Sequence, residues 1–436
     1  MRTKIYIYSL LAIVFSIMAI GFYTGTMQSI TGSTAKVIAI GRWMGIVMAF
    51  SILIELLLMA RIPAIENNFD VDDISQVHRW NGYVLVYSIV AHVVFLTVGY
   101  AWQQDNGLIG QFIALNTDFE DVLLATFGSI LFFVIAISSV KIARKAVRYE
   151  TWYYLHLIAY IAVGLTFLHQ INSGSDLITQ DWLRWYWIAI YAVLFALLGY
   201  YRFIRQLVYM FRFGFSVSSV QQEAKDIYSV YITGKGLGRL KFQAGQYATW
   251  RFLAKGYWGQ AHPFSISSPP GAAMLRLTFK AKSGDFSQSL MSVPIGARVL
   301  LDGPRGAFTT SRGRCDNVLL LAGGIGVAPM VAMLAQLATQ HKKVALIYCV
   351  RQRLELAFAA DIRHLQQIYP NITCVVHESS TAGRLTVPQA LRYVDNDLLG
   401  TSVLLCGPSG MADCLKTDLV AQGVPAHHII AEQFKF

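Results

Sequence analysis

Before about residue 210 the chain is dominated by apolar runs too long for ordinary soluble helices. Six can be drawn, at about 5–23, 37–60, 79–101, 122–140, 152–171 and 183–204. A helix needs roughly twenty residues to cross a hydrocarbon core of about 30 Å. Lipid offers the backbone no hydrogen-bond partner, so runs of this length are predicted to cross the bilayer as helices. The first run follows Met-Arg-Thr-Lys, as a signal peptide would, but no small-x-small cleavage site comes after it. A retained first span is therefore expected. Beyond residue 212 short strand-length segments and glycine turns take over. The mean hydropathy of +0.46 thus averages two unlike halves. At 436 residues there is room for two or three domains.

The formal charge of +11 invites a nucleic-acid reading, but the basic residues are in the wrong places for one. Arg2, Lys4, Arg61, Arg79, Lys141, Arg144, Lys145, Arg148, Arg202, Arg205 and Arg212 flank one set of span ends. The opposite ends hold little beyond Lys36, Arg42 and Arg184, and their loops carry Asp105, Asp118, Glu120, Asp121, Asp176 and Asp181. Positive charge retained inside puts both termini in the cytoplasm and makes spans three and five run outward. The run from Lys141 to Arg148 reads as part of that signal. All five cysteines (Cys315, Cys349, Cys374, Cys406 and Cys414) lie in the soluble half without CxxC spacing, which argues against a disulfide framework or a zinc site.

Spans three and five each carry two histidines. His78 and His92 are fourteen residues apart, His156 and His169 thirteen. At 1.5 Å of helical rise per residue either spacing covers about 20 Å, most of the hydrocarbon core. A single histidine in an apolar helix is usually a hydrogen-bonded packing residue. Four in matched pairs are harder to explain that way, because imidazole is costly in lipid and is a good iron ligand. With the two spans parallel, His78 faces His156 near the cytoplasmic surface and His92 faces His169 near the outer one. Each pair could hold one haem by both axial positions. Fourteen residues return to within about 40° of the same helix face, whereas thirteen do not. The fifth span therefore needs a bend or a tightened turn, which Gly164 could permit. In span two, Arg42 could meet a haem propionate or a small anionic product, or extend to the headgroups. Glu55, deeper, reads as a hydrogen-bonded helix contact.

In the soluble half, 215–254 alternates like the strands of a small β-barrel. His262-Pro263-Phe264-Ser265 opens the extended segment HPFSISSPP, which could offer donors and shape to a flavin and its pyrophosphate. KSGDFSQSL then places Gly284 and Ser287 at a plausible helix N-terminus, where phosphate is favoured. NVLLLAGGIGVAPMVAMLAQLA reads as strand, glycine turn and helix, with Gly323, Gly324 and Gly326 in the turn and Pro329 early in the helix. A glycine turn in that setting is a dinucleotide signal. VALIYCVRQ ends a second strand at Arg351, where an arginine could accept a ribose 2′-phosphate or simply join a surface salt bridge. SVLLCGPSGM brings Cys406 and Gly407 to the same edge, although most free cysteines are only small buried apolar residues. The chain ends EQFKF, two aromatics that could cover a flavin ring or plug an interface.

Taken together, His78-x13-His92, His156-x12-His169, HPFSISS, DGPRGAF (302–308), GGIGVAP and LLCGPSGM resemble the NADPH oxidase and ferric reductase superfamily over nearly the whole chain. The resemblance implies a six-helix transmembrane di-haem bundle fused to a ferredoxin-reductase-like module, itself an FAD-binding β-barrel plus an α/β nucleotide-binding domain. The divisions are expected at 1–212, 213–315 and 316–436. It implies two haems b on His78, His92, His156 and His169. FAD is expected at His262, Pro263, Phe264 and Ser265, with Ser287 near its pyrophosphate. NADPH, with NADH as an alternative, is expected at Gly324, Gly326, Pro329 and Gly407, with Cys406 near the hydride-transfer site. Phe434 is the implied flavin-stacking residue and Phe436 its rival. The family's outer oxygen site pairs an arginine in span two with a second histidine four residues after the outer ligand. Arg42 matches the first, and Leu96 stands at the second.

These features point to electrons passing from cytoplasmic NADPH to an acceptor outside, oxygen giving superoxide. A ferric-chelate reductase and an electron donor to a periplasmic protein are the alternatives. The compact form, with no EF-hand before the first span, implies a bacterial plasma-membrane enzyme that is constitutively active and has no obligatory protein partner.

Overall fold

The structure is a computed structural model that describes residues 2–26, 30–69, 71–119, 121–140, 149–283, 286–313, 315–340, 342–395 and 397–434. The chain divides into two compact units, Met1–Tyr201 and Arg202–Phe436.

Among the described residues six helices are long and apolar enough to cross a membrane, one for each run read from the sequence. The first is α1 (Arg2–Gly25), followed by α2 (Gly32–Met59) and α3 (Val71–Gln104). A shorter helix, α4 (Leu108–Asp118), precedes α5 (Val122–Ser139). The fifth span is made of two pieces, α6 (Tyr149–Leu157) and α7 (Ala159–Asn172), and the sixth starts with α8 (Asp181–Gly199). The core of this unit is built from side chains such as Met48, Ile52, Ile89, Phe132, Ala162 and Trp187. Between helices in lipid there is little hydrophobic driving force, so close packing of small residues matters more. Gly41 and Gly45, a GxxxG pair on α2, supply it against α3. A Cβ on Gly45 would lie 2.8 Å from His92 Nδ1, and one on Gly41 would lie 2.8 Å from Leu96 Cδ2.

The break between α6 and α7 falls at Ile158, not at Gly164 as the sequence suggested. There the chain tightens, with the Ile158 N–H bonding Leu155 O at 3.2 Å, three residues back. Gly164 stays inside α7. The expected tight turn exists, but it sits two residues after His156, where it rotates that histidine relative to His169.

The second unit opens with α9 (Arg205–Phe213) and a six-stranded antiparallel sheet: β1 (Ser216–Ala224), β2 (Ile227–Thr233), β3 (Tyr247–Leu253), β4 (His262–Ser265), β5 (Leu275–Lys280) and β6 (Arg298–Arg305). The order is β4-β3-β6-β1-β2-β5, and the sheet curls until Ile266, just past β4, bridges to Leu277 on β5. Its inside is filled by Phe215, Trp250, Phe252, Phe279 and Leu277. Pro263 is tolerated because β4 is at the end of the strand order, where a missing N–H breaks no inner ladder.

A parallel sheet follows: β7 (Asn317–Gly323), β8 (Lys343–Val350), β9 (Ile372–Glu378), β10 (Thr401–Pro408) and β11 (Ile429–Phe434). Helices α10 (Val327–Ala338), α11 (Ala359–Ile368) and α12 (Ser409–Ala421) connect them. The order β11-β10-β7-β8-β9 reverses between β7 and β10. Such a reversal opens a crevice at the carboxyl ends of those two strands, the usual ligand site of an open α/β sheet.

Candidate functional site

The four span histidines come together in the two pairs that their spacing required. The His78 and His156 ring centres are 5.8 Å apart, and those of His92 and His169 are 6.5 Å apart. Two imidazoles joined through one metal, at a nitrogen–metal distance of about 2.0–2.1 Å each, place their ring centres about 6 Å apart. Both pairs fit that requirement. Among the described residues no three or more His, Cys, Asp or Glu side chains cluster as a metal site.

The hydrogen bonds agree. His78 Nδ1–H donates to Glu55, and His92 Nδ1–H donates to the Gly41 carbonyl at 2.8 Å. Carboxylate and carbonyl are acceptors only, so each bond fixes the proton on Nδ1 and leaves Nε2 with its lone pair for a metal. Glu55 is thus the hydrogen-bonded contact expected of it, although its partner is a histidine of the next span. Asn81 Nδ2 also donates to Glu55 Oε1, at 2.7 Å. Sequence reasoning missed Asn81. It lies one turn after His78 on the same helix face, which is the signal that could have found it.

His92 and His169 line a cavity of about 640 Å³ together with Arg42, Leu96, Tyr100 and Trp187. Arg42 is half-buried. Its guanidinium donates to Thr26 Oγ1 and to the Tyr100 hydroxyl, both at 3.2 Å. Thr26 in turn donates to Asp176 at 2.7 Å, and burial pushes the Asp176 carboxyl above its ordinary range. Leu96 packs against Gly41 on the same wall.

In the second unit the structure joins the two segments expected at a flavin. The His262 ring stacks on Phe286, with centres 4.1 Å apart and planes 14° from parallel, so 262–265 and Ser287 become neighbours. Pro263 is exposed, Phe264 half-buried and Ser265 buried. The Phe264 carbonyl accepts from Trp250 Nε1 at 3.0 Å. Ser287 is buried and its Oγ accepts the Lys282 N–H at 3.0 Å. The helix expected there is only one turn, Phe286–Ser289, too short to gather much dipole; Gly284 lies outside the described residues. Nearby, Asp302 is buried between Arg305 at 3.0 Å and Arg205 at 3.4 Å, and Arg305 lies 5.4 Å over the Tyr247 ring. This grouping was not read from DGPRGAF.

The nucleotide residues converge at the strand-order reversal. Gly324 follows β7 with φ +53°, and Pro329 is the third residue of α10. Gly326 has a packing reason of its own: a Cβ there would lie 2.1 Å from the Cys406 carbonyl oxygen. Cys406 and Gly407 end β10, and the Cys406 side chain is fully enclosed. Burial, with Glu432 nearby, holds its thiol well above the usual range. Arg351 is exposed just past β8. Phe434 closes β11 opposite Pro408, and Phe436 lies outside the described residues, as does the basic run 141–148.

Against known proteins, residues 44–167 match the ferric reductase like transmembrane component family, and residues 320–417 match the oxidoreductase NAD-binding domain. The chain carries two domains that together match the NADPH oxidase and ferric reductase superfamily. Its architecture is that of the superfamily, six apolar helices followed by a ferredoxin-reductase-like FAD/NAD-binding module. The chain is similar to the ferredoxin reductase component of 3-ketosteroid-9-alpha-monooxygenase from Mycolicibacterium smegmatis, 30% identical over 50% of this chain and 64% of that one. It is also similar to a flavohemoprotein of Xylella fastidiosa, 29% identical over 44% of this chain and 51% of the other. A solved structure, the flavohem-like FAD/NAD binding domain of a nitric oxide dioxygenase from Vibrio cholerae, is 25% identical with a TM-score of 0.45, over 50% of this chain and 97% of that one. The chain spans about half to two thirds of the length of these two curated relatives.

Proposed function

We propose that this chain is a transmembrane NAD(P)H oxidoreductase. It would pass electrons from cytoplasmic NADPH through FAD and two bis-histidine haems b to an acceptor on the outer face, oxygen giving superoxide. The observation that carries the reading is the pair of facing imidazole couples on the third and fifth spans, each at the separation one shared iron demands. When bound, flavin would split a hydride into single electrons and haem would carry them one at a time.

The chain's part is to bind, orient and insulate. His78 with His156, and His92 with His169, would hold the two irons, with Glu55 and the Gly41 carbonyl fixing the two ring tautomers. His262, Pro263, Phe264 and Ser265 with Ser287 would hold FAD, and Phe434 would cover its ring until nicotinamide displaces it. Gly324, Gly326, Pro329 and Gly407 would shape the nicotinamide-nucleotide site, with Cys406 enclosed beneath it and Arg351 at the ribose 2′-phosphate. Residues 1–212, 213–315 and 316–436 would be the haem, flavin and nucleotide modules. The protein would lie in a bacterial plasma membrane with both termini inside, as the lysine and arginine distribution supports.

With the imidazoles of His92 and His169 both committed to holding the outer haem, the acceptor would be received beside that pair, in the cavity that Arg42 lines. Leu96, where the family's oxygen site carries a second histidine, favours a second reading in which the acceptor is a ferric chelate. Turnover of purified, haem-loaded protein with oxygen and with chelated iron, at matched NADPH, separates the two. The oxygen reading expects superoxide trapped at the outer face. NADPH oxidation without an oxygen-dependent superoxide signal would defeat it.

A further inference from the structure

The two imidazole pairs are chemically unequal, and the inequality comes from α2. At the first pair the His78 Nδ1–H donates to a carboxylate, Glu55. At the second, the His92 Nδ1–H donates to a neutral acceptor, the Gly41 carbonyl. Among the described residues His156 Nδ1 has no hydrogen-bond partner, while the His169 ring meets the Thr166 backbone and, at longer range, the charge of Asp121. Among those residues Glu55 is the one carboxylate hydrogen-bonded to a ring of either pair. Its contact with His78 is built rather than incidental. Asn81 donates from one amide nitrogen both to Glu55 Oε1 at 2.7 Å and to the Ser51 carbonyl at 2.9 Å. That clamp holds one carboxylate oxygen and leaves the other for the imidazole. The Glu55 side chain is 16% exposed, so water screens it poorly.

A hydrogen bond from Nδ1–H to an anion pushes electron density toward Nε2 and raises the basicity of that nitrogen as a ligand. A more basic ligand and a nearby buried negative charge both favour the more highly charged state of an iron on that ligand. A carbonyl does less of the first and none of the second. Building on the haem reading above, we propose that Glu55 is a positioning residue that sets the iron held by His78 and His156 at a lower potential than the iron held by His92 and His169. One electron then moves downhill from the first iron to the second, with no bond made or broken and no proton exchanged. The direction of transfer across the membrane is thereby written into one carboxylate on span two.

The test is a spectroelectrochemical titration of the purified, haem-loaded full chain, with haem per chain measured on every sample. In Glu55→Gln the amide oxygen still accepts the His78 N–H, so shape and hydrogen bond persist and only the charge is lost. One of the two one-electron steps should then rise by at least tenfold in its equilibrium constant, which is about 59 mV for one electron, while the other stays put. Glu55→Asp, which keeps the charge, should return the step part of the way. In a His92→Ala background the surviving step should be the lower one, and adding Glu55→Gln should move it. If Glu55→Gln does not hold haem, Asn81→Ala, which frees the carboxylate without removing it, should raise the same step by a smaller amount. Two steps unmoved with both haems in place would overturn the inference, as would movement only of the step that His92→Ala removes. A wild-type chain that binds no haem would instead defeat the haem reading itself.

Discussion

Gly326 shows how much one missing methyl group decides. The turn after β7 passes so close to β10 that a Cβ would lie 2.1 Å from the Cys406 carbonyl oxygen and 2.6 Å from its carbon. Backbone cannot swing aside as a flexible side chain can. Forcing extra atoms into a packed site costs about 1–3 kcal/mol, so Gly326→Ala should lower the melting temperature by several degrees whether or not nucleotide is present. An unchanged melt would mean that the glycine serves only the ligand. Arg351 is a different case, exposed just past the carboxyl end of β8. Arg351→Ala should raise the NADPH Michaelis constant and leave that for NADH nearly unchanged, and equal effects on both would remove its assigned role. Single residues also mark where reading the sequence stops. The four histidines were legible as two facing pairs because their spacing matches the depth of a bilayer. Thr26 and Tyr100 were not, since a hydrogen bond across helices leaves no periodic trace in the chain, and Asn81 showed only as a polar residue one turn after His78.

At the scale of elements, the fifth span offers a sharp choice between two hinges. The turn tightens at Ile158, while Gly164 lies within α7 with nothing within 4 Å of where its Cβ would be. Gly164→Ala should therefore keep haem content and raise stability slightly, since alanine is better than glycine in a helix interior by about 1 kcal/mol. Loss of haem at the second pair would put the hinge back at Gly164. In the curled sheet, Asp302 balances two buried guanidiniums, one from α9 and one from β6 itself. Asp302→Ala leaves both without their carboxylate and should cost about 3–5 kcal/mol, read as early unfolding of the flavin-containing part in denaturant. The parallel sheet carries a pH signature. Burial pushes the thiols of Cys349 on β8 and Cys374 on β9 up to about 12, against about 8.5 for an unfolded thiol. Above about pH 8.5 the unfolded chain loses protons that the folded one keeps, so stability is full below that pH and falls as pH rises toward 12. Replacing both cysteines by alanine should flatten the decline in melting temperature over that window, and an unaltered slope would show that other groups cause it. The same sheet shows why element reading was incomplete. β7, β8 and β10 are inner strands and nearly unbroken in apolar character, so they announced themselves. β9 and β11 are edge strands with mixed faces, and in sequence they look like the loops around them.

For the molecule as a whole, the architecture was legible because lipid leaves so few ways to fold an apolar chain, and because a glycine turn between a buried strand and a helix has few uses. What the sequence could not supply was the inequality between the two histidine pairs. That depends on which span-two group happens to face each histidine, a carboxylate at one level and a carbonyl at the other. The proposed transmembrane chemistry rests on both pairs holding a haem. The most direct measurement is haem per chain, by pyridine haemochrome, in the purified full-length protein and in its His78→Ala and His92→Ala variants. The account expects two in the parent and one in each variant. A parent with none, or variants that still hold two, would contradict it.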